Sequence, residues 1–284
     1  MNTLYQSVTE SLSRFSKECN VFIAVSGGVD SVALLHIVAE LSNQGVINKP
    51  TVLHVNHNLH PDSSNWASFV HELSISHQLP YTCINVHCAN NSEGEARDRR
   101  YEAFFSVISE GDVLLLAHHF DDQYETFIFR AFRGTSLTGL TGMKQISKHN
   151  ERYIVRPFLN IKKTQLQTHL EENRLTWVHD PSNNQEHYSR NIIRKAMTYI
   201  PSKDSFQLTN QHLLRQQTLL SECCEEKLNG IKIAPHIIDI DMLKSMSSDW
   251  QTELFHLWLN QQGIQIPYLQ ELDVFKSIVA AKQD

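Results

Sequence analysis

Through about residue 160, short apolar runs alternate with helix-length amphipathic segments. The runs predict strands near 21–25, 51–56, 82–87, 112–117 and 153–156, with helical patterns near 30–43, 63–78, 95–109 and 121–133 between them. A run such as Val113-Leu114-Leu115-Leu116-Ala117 has no polar alternation, which marks a strand covered on both faces. The implied fold is α/β, a doubly wound parallel five-stranded sheet. Ligands of such sheets bind at the carboxyl ends of the strands, so polar residues that directly follow a strand carry the chemistry.

The pattern changes near Ile200-Pro201-Ser202-Lys203-Asp204, a turn and N-cap signal. Beyond it, Leu213, Leu214, Leu219, Leu220, Cys223, Cys224 and Leu228 recur close to a 3.6-residue period, and further helices fit near 249–262 and 267–281. This reading divides the chain into a larger domain over 1–200 and a helical linker with a small all-helical domain over 201–284. No repeat or low-complexity segment interrupts it.

Composition narrows the function classes. At 284 residues and 41% hydrophobic the chain can build a core, while a formal charge of -6 and a pI near 6.2 exclude a general polyanion-binding surface. Any nucleic-acid contact then comes from local basic clusters. Met1 to Ser7 has neither a basic region nor a long apolar one, and no later stretch could span a bilayer, so a soluble cytoplasmic protein with no membrane partner is expected. The five cysteines, Cys19, Cys83, Cys88, Cys223 and Cys224, are odd in number and lack Cys-x-x-Cys spacing, which favours reduced thiols over a zinc or cluster site.

Directly after the first run comes Ser26-Gly27-Gly28-Val29-Asp30-Ser31, and the amphipathic pattern Val32 to Ala39 follows at once. Strand, glycine turn and helix together make a phosphate cradle. Glycines permit positive φ and remove the Cβ atoms that would hold an anion off, while backbone N–H groups and the helix N-terminus supply partial positive charge. Ser26 and Ser31 add hydroxyls. Asp30 would repel phosphates without a cation between them, so it argues for magnesium-bound nucleotide. The string fits neither Gly-x-x-x-x-Gly-Lys-Ser/Thr nor Gly-x-Gly-x-x-Gly. A plain turn with Asp or Ser as N-cap is the competing account, and the whole string after a buried strand favours phosphate.

Other strand ends carry further candidates. His54-Val55-Asn56-His57 follows the second strand, where the base and ribose of a nucleotide on the first loop would lie; histidines that merely cap strand ends are the alternative. Arg97, Arg100 and Tyr101 share a helix face that could clamp phosphate, and Arg99 reads as solvated. In Ala117-His118-His119-Phe120-Asp121-Asp122-Gln123-Tyr124-Glu125, Asp122 and Glu125 lie three apart and attract a cation or an ammonium group. His118 and His119 lack the His-Glu-x-x-His spacing of a zinc site. Arg133 to Met143, with three glycines, reads as a lid loop or a plain connector. Arg156-Pro157-Phe158-Leu159 ends the fifth strand. Arg190 and Arg194 stand four apart on a predicted helix after the turn at Asp180.

Taken together these strings resemble the PP-loop ATP pyrophosphatase superfamily, with its adenine nucleotide alpha hydrolase-like sheet, and within it the tRNA(Ile)-lysidine synthetase family. The Ser26 to Ser31 loop is shared across the superfamily. His54 to His57, Ala96 to Tyr101, Ala117 to Thr126, Arg133 to Met143 and Asp180 to Arg194 match the lysidine family in order and spacing, strongly over about residues 20–200.

The resemblance implies an ATP-dependent ligase that joins lysine to C2 of the wobble cytidine of an isoleucine tRNA with anticodon CAU. The cytidine oxygen attacks the α-phosphate of ATP, pyrophosphate leaves into the loop, and lysine displaces AMP. Ser26, Gly27, Gly28, Val29, Asp30, Ser31, His54, Asn56, Arg97 and Arg100 would then bind ATP, and Asp30 would hold magnesium. Asp122 and Glu125 match carboxylates that bind lysine, and an arginine of the Arg190 to Arg194 segment matches the partner of its carboxylate. Flanking carboxylates would raise the ε-ammonium pKa above about 10.4, so holding the α-ammonium leaves the ε-amine free to react. His118 or His119 is then the candidate proton acceptor.

The chain departs from the family at His60, where many members carry Arg, and it ends at Asp284 where longer members continue into a domain that helps grip tRNA. A homodimer stays open. The rival readings are another PP-loop tRNA-modifying enzyme such as a tRNA thiolase, which needs cysteine ligands near the site, and a non-catalytic nucleotide-binding module, which has no need of clustered carboxylates beside phosphates.

Overall fold

The computed structural model describes residues 3–58, 60–87, 93–178 and 204–264, together with 193, 199 and 277. By compactness the chain divides into two units, Met1–Phe206 and Gln207–Asp284.

The first unit opens with α1 (Thr3–Leu12) and alternates β1 (Val21–Ala24), α2 (Val29–Asn43), β2 (Thr51–Asn56), α3 (Ser63–Ser76), β3 (Tyr81–Asn85), α4 (Glu93–Phe105) and β4 (Val113–Leu115). There follow α5 (Phe120–Arg133), the short α6 (Leu137–Leu140), β5 (Ile146–His149), β6 (Arg152–Val155) and α7 (Lys163–Glu172). The sheet order is β3-β2-β1-β4-β6-β5. Five strands are parallel, with Val21 beside Val113 and Phe22 beside Thr51. These are the five that the apolar runs predict. The structure adds β5 as an antiparallel edge, with Ile146 beside Val155, so the sheet has six strands rather than five.

Both faces are covered. On one, Leu4 and Val8 of α1 and Leu166 and Leu170 of α7 enclose α2, and on the other Phe104 and Ile108 cover Leu53, Leu114 and Ile154. Every residue from Ser31 to Ala39 is buried. The amphipathic pattern expected for α2 is therefore corrected: the helix lies between sheet, α1 and α7 and is apolar all round. Each of its buried Leu, Ile and Val side chains contributes roughly 1.5–3 kcal/mol, which makes α2 a rigid mount for the loop at its N-terminus.

The second unit holds a core of Cys224, Leu228, Ile231, Leu243, Leu254, Phe255 and Leu259. These come from α8 (Asp204–Ile231), α9 (Ile240–Lys244) and α10 (Ser248–Gln261). Asp239 caps α9 by accepting from the Asp241 and Met242 N–H groups. A small hairpin, β7 (Lys232–Ala234) with β8 (Ile237–Ile238), interrupts the expected all-helical pattern. The helix expected over 267–281 lies outside the described residues except for position 277. Among the described residues no helix is long and apolar enough to cross a membrane.

Candidate active site

The chain runs from β1 to β2 on one side of the sheet, and from β3 across to β4 on the other. The switch point therefore lies between β1 and β4, and the crevice over it is where a ligand of this architecture sits. Both dense polar strings, Ser26 to Ser31 and His118 to Glu125, open at that crevice.

The loop is built by its own side chains. Ser31 Oγ donates to the Gly28 carbonyl at 2.9 Å and accepts from the Ser26 N–H at 3.2 Å. Gly27 takes a φ of 94°, a conformation side chains rarely adopt. Its carbonyl accepts from the Val178 N–H at 2.9 Å, and a Cβ there would meet Val178 at 3.4 Å. Gly28 is the residue before α2, so the loop amides sit at a helix N-terminus.

Asp30 lies in the first turn of α2, and His119 bridges it to the opposite element. His119 Nε2 stands 3.4 Å from Asp30 Oδ2 and 3.5 Å from Asp122 Oδ2, and its Nδ1 is 3.8 Å from Asp121 Oδ2. Burial works against charge on this ring, but its hydrogen bond to Asp30 and the charges of Asp122, Asp30 and Asp121 outweigh that and raise its pKa above the usual 6.5. The His119 ring is thus held among three carboxylates that favour its protonated form. Its backbone N–H donates to Asp122 Oδ2 at 3.0 Å, which fixes the start of α5. His118 behaves oppositely. Burial pushes it down to about 4; Asp122 opposes that, while Arg156 and Arg97 add to it. Of the two candidate proton acceptors, His118 is the weaker base.

The adjacent aspartates divide the work. Asp121 accepts from the Lys163 N–H at 3.0 Å and caps α7, whereas Asp122 faces the bridge to Asp30. Glu125, one turn on, is buried. Between them Gln123 is turned to the loop after α5: its Nε2 donates to the Met143 carbonyl and its Oε1 accepts from the Met143 N–H, each at 2.7 Å. Arg130 Nη1 donates to the Gly139 and Gly142 carbonyls at 2.9 Å. The Arg133 to Met143 segment is thereby tied to α5 and contains a helical turn, the arrangement of a fixed connector.

The remaining candidates fall into place around the crevice. His54 is buried and its Nδ1–H donates to the Val25 carbonyl at 2.8 Å, so it braces the strand end that leads into the loop. Asn56 is buried and accepts from the Asn58 N–H at 3.0 Å, holding a turn in which Asn58 has a φ of 53°. Arg100 Nε donates to His57 Nε2 at 3.4 Å, linking α4 to the β2 crest, and Arg97 lies over the Tyr101 ring at 5.8 Å. Burial, then Arg100 and His54, bring His57 to about 4. Arg190 and Arg194 lie outside the described residues. Arg156, to which the sequence pattern assigns no role, is buried directly after β6 and donates through Nη1 to the Lys144 carbonyl and Ser147 Oγ at 3.0 Å. Strand-end position was the signal that could have marked it.

Magnesium fits here in a limited way. Asp30 Oδ1 is a hard oxygen donor, buried and without a hydrogen-bond partner among the described residues. Among those residues no group of three His, Cys, Asp or Glu is arranged to hold a metal alone, so phosphate oxygens would have to complete the coordination.

A parallel sheet with this glycine-serine loop at its switch point defines a PP-loop nucleotide-binding domain, and the PP-loop domain family matches residues 1–200. Several curated relatives share one name. The tRNA(Ile)-lysidine synthase of Actinobacillus pleuropneumoniae serotype 3 is 32% identical over 267 residues, covering 91% of this chain and 62% of that protein. That of Vibrio atlanticus is 30% identical over 306 residues, covering 100% of this chain and 67% of the relative. The chain belongs to the tRNA(Ile)-lysidine synthase family of PP-loop proteins. It spans 62% of the length of the Actinobacillus relative. Among solved structures, the U34-tRNA thiolase NcsA of Methanococcus maripaludis aligns with a TM-score of 0.61 at 15% identity, over 77% of this chain and 78% of that one, which is a likeness of fold.

Proposed function

We propose that this chain ligates free lysine to C2 of the wobble cytidine of an isoleucine tRNA with anticodon CAU, consuming ATP and releasing AMP and pyrophosphate. The observation that carries the reading is the Asp30–His119–Asp122 bridge, which joins the phosphate loop to the carboxylate helix at one switch point. Nucleotide and an amine-bearing substrate would meet across it.

In the first step the cytidine C2 oxygen attacks the α-phosphorus of ATP, and the bond from that phosphorus to the bridging oxygen breaks. The amides and hydroxyls of Ser26 to Ser31 hold the departing pyrophosphate. A magnesium ion on Asp30 would supply positive charge to the phosphate oxygens. In the second step the lysine ε-nitrogen attacks C2, the C2–oxygen bond breaks, and AMP leaves with both electrons of that bond. Asp122 and Glu125 hold the α-ammonium, and Arg190 or Arg194 holds the carboxylate, so the ε-amine stays unpaired and reactive. The proton it sheds goes to His118 or His119, the two imidazoles that directly precede α5.

Pyrophosphate release tests the reading. With ATP and lysine present it should require a transcript carrying CAU and cease with one carrying a different wobble base. Release that ignores the transcript, or that follows a small-molecule acceptor, would refute the proposal.

A further inference from the structure

Helix α5 carries more than the two carboxylates. At 100° per residue, Asp122, Glu125, Phe129, Phe132 and Arg133 fall within one stripe about 100° wide. The opposite side of α5 is occupied, since Phe120, Tyr124 and Phe127 pack their rings on Phe206 at 5.6, 4.7 and 5.1 Å. Along the stripe the environment changes steadily. Glu125 is buried, Phe129 is half-buried, and Phe132 is 86% exposed, more than any other large hydrophobic among the described residues.

The far end is both aromatic and basic. The Arg133 guanidinium lies over the Phe129 ring at 4.7 Å, which lays a planar cation along the stripe that also carries Phe132. Gly134, with a φ of 72°, ends the helix there. The following loop is drawn back on Arg130 and Gln123 and leaves Phe132 uncovered.

An exposed aromatic face next in sequence to a guanidinium suits an occupant with an aromatic face and a negative charge. A nucleotide has both. In a chain of net charge -6, RNA has to be gripped at local basic points, and this is one. From Asp122 to Phe132 the helix rises about 15 Å, a span that a nucleotide a short way along the strand from the reacting base can cross. Resting on the RNA-ligase reading above, we propose that Phe132 and Arg133 form a stacking subsite for an unstacked base of the single-stranded loop whose cytidine reacts at the other end of the same stripe. Phe132 takes the base and Arg133 the adjoining phosphate.

The test is the affinity of the full chain for a labelled RNA anticodon stem-loop bearing CAU, read by fluorescence anisotropy. Phe132→Ala should weaken binding by roughly 5- to 150-fold. Phe132→Tyr and Phe132→Trp should retain it, and the thermal midpoint and the KM for ATP should stay unchanged, because the side chain supports neither the core nor the loop. Arg133→Ala should lower the salt dependence of binding by about one counterion. Unchanged stem-loop affinity in Phe132→Ala, with lysine addition intact in the parent chain, would overturn the subsite and leave the ligase reading standing. An altered sedimentation mass with unaltered RNA affinity would make the patch a protein contact and equally overturn it. A parent chain that neither binds the stem-loop nor adds lysine would refute both.

Discussion

Asp121 and Asp122 are identical in chemistry and adjacent in sequence, yet the fold gives them different tasks. Asp122→Asn keeps an oxygen for the His119 N–H but removes the charge proposed above to hold the α-ammonium of lysine. It should raise the KM for lysine about tenfold or more and leave the KM for ATP alone. A raised KM for ATP with lysine unaffected would show the role to be wrong. Asp121→Ala should do the reverse: it frees the Lys163 N–H at the start of α7, so denaturant titration should show a loss of about 1 kcal/mol while both KM values hold. The sequence marked the string His118 to Glu125 as chemical because so many polar residues follow one strand. It could not separate the two aspartates, since the partner of Asp121 lies 42 residues on. His54 was similarly ambiguous, and its bond to Val25 resolves it as a brace.

At the scale of elements, the five parallel strands were legible because each is a short apolar run, and α2, α3, α4 and α5 because helix-length segments separate them. The antiparallel β5 was missed for a local reason. Its hairpin turns at Asn150 and Glu151 with φ values of 44° and 61°, the conformation that Asn-Gly normally supplies. Glutamate at the second position hid the signal. Glu151→Gly should therefore raise stability by about 1 kcal/mol, seen as a higher denaturation midpoint with the sheet unchanged, because glycine removes the left-handed strain. A lower midpoint would mean that the exposed Lys148–Glu151 pair matters more than the turn. Helix α7 was missed because its buried residues are only Leu166, His169 and Leu170, too few for a recognisable apolar stripe.

For the molecule as a whole, the buried histidines set the response to acid. His36 Nδ1 and His169 Nε2 share a hydrogen bond at 3.0 Å, which requires one ring to accept and so to be neutral, and the His77 ring lies 5.6 Å from His36. Burial lowers all three pKa values from 6.5. A depressed histidine binds fewer protons when folded than when unfolded, so its stabilisation is present above pH 6.5 and is lost as the pH falls toward the folded value. His119, which is raised, acts in the opposite sense: its contribution is present below 6.5 and lost as the pH climbs through its folded pKa. The depressed rings outnumber it, and the thermal midpoint should drop between about pH 7 and pH 5. A His36→Leu/His169→Leu double variant should keep the neutral-pH midpoint and flatten that fall. An equally steep fall would place the acid response elsewhere.

The bridge between Asp30 and Asp122 is proposed to unite an ATP site with a lysine site for the modification of one RNA base. Its most direct test is to incubate the chain with ATP, radiolabelled lysine and tRNA transcripts with CAU anticodons, digest the RNA and analyse the wobble nucleoside. Label is expected at that nucleoside alone, in the isoleucine transcript and dependent on ATP. Label absent from every transcript, with pyrophosphate released on some other substrate, would contradict it.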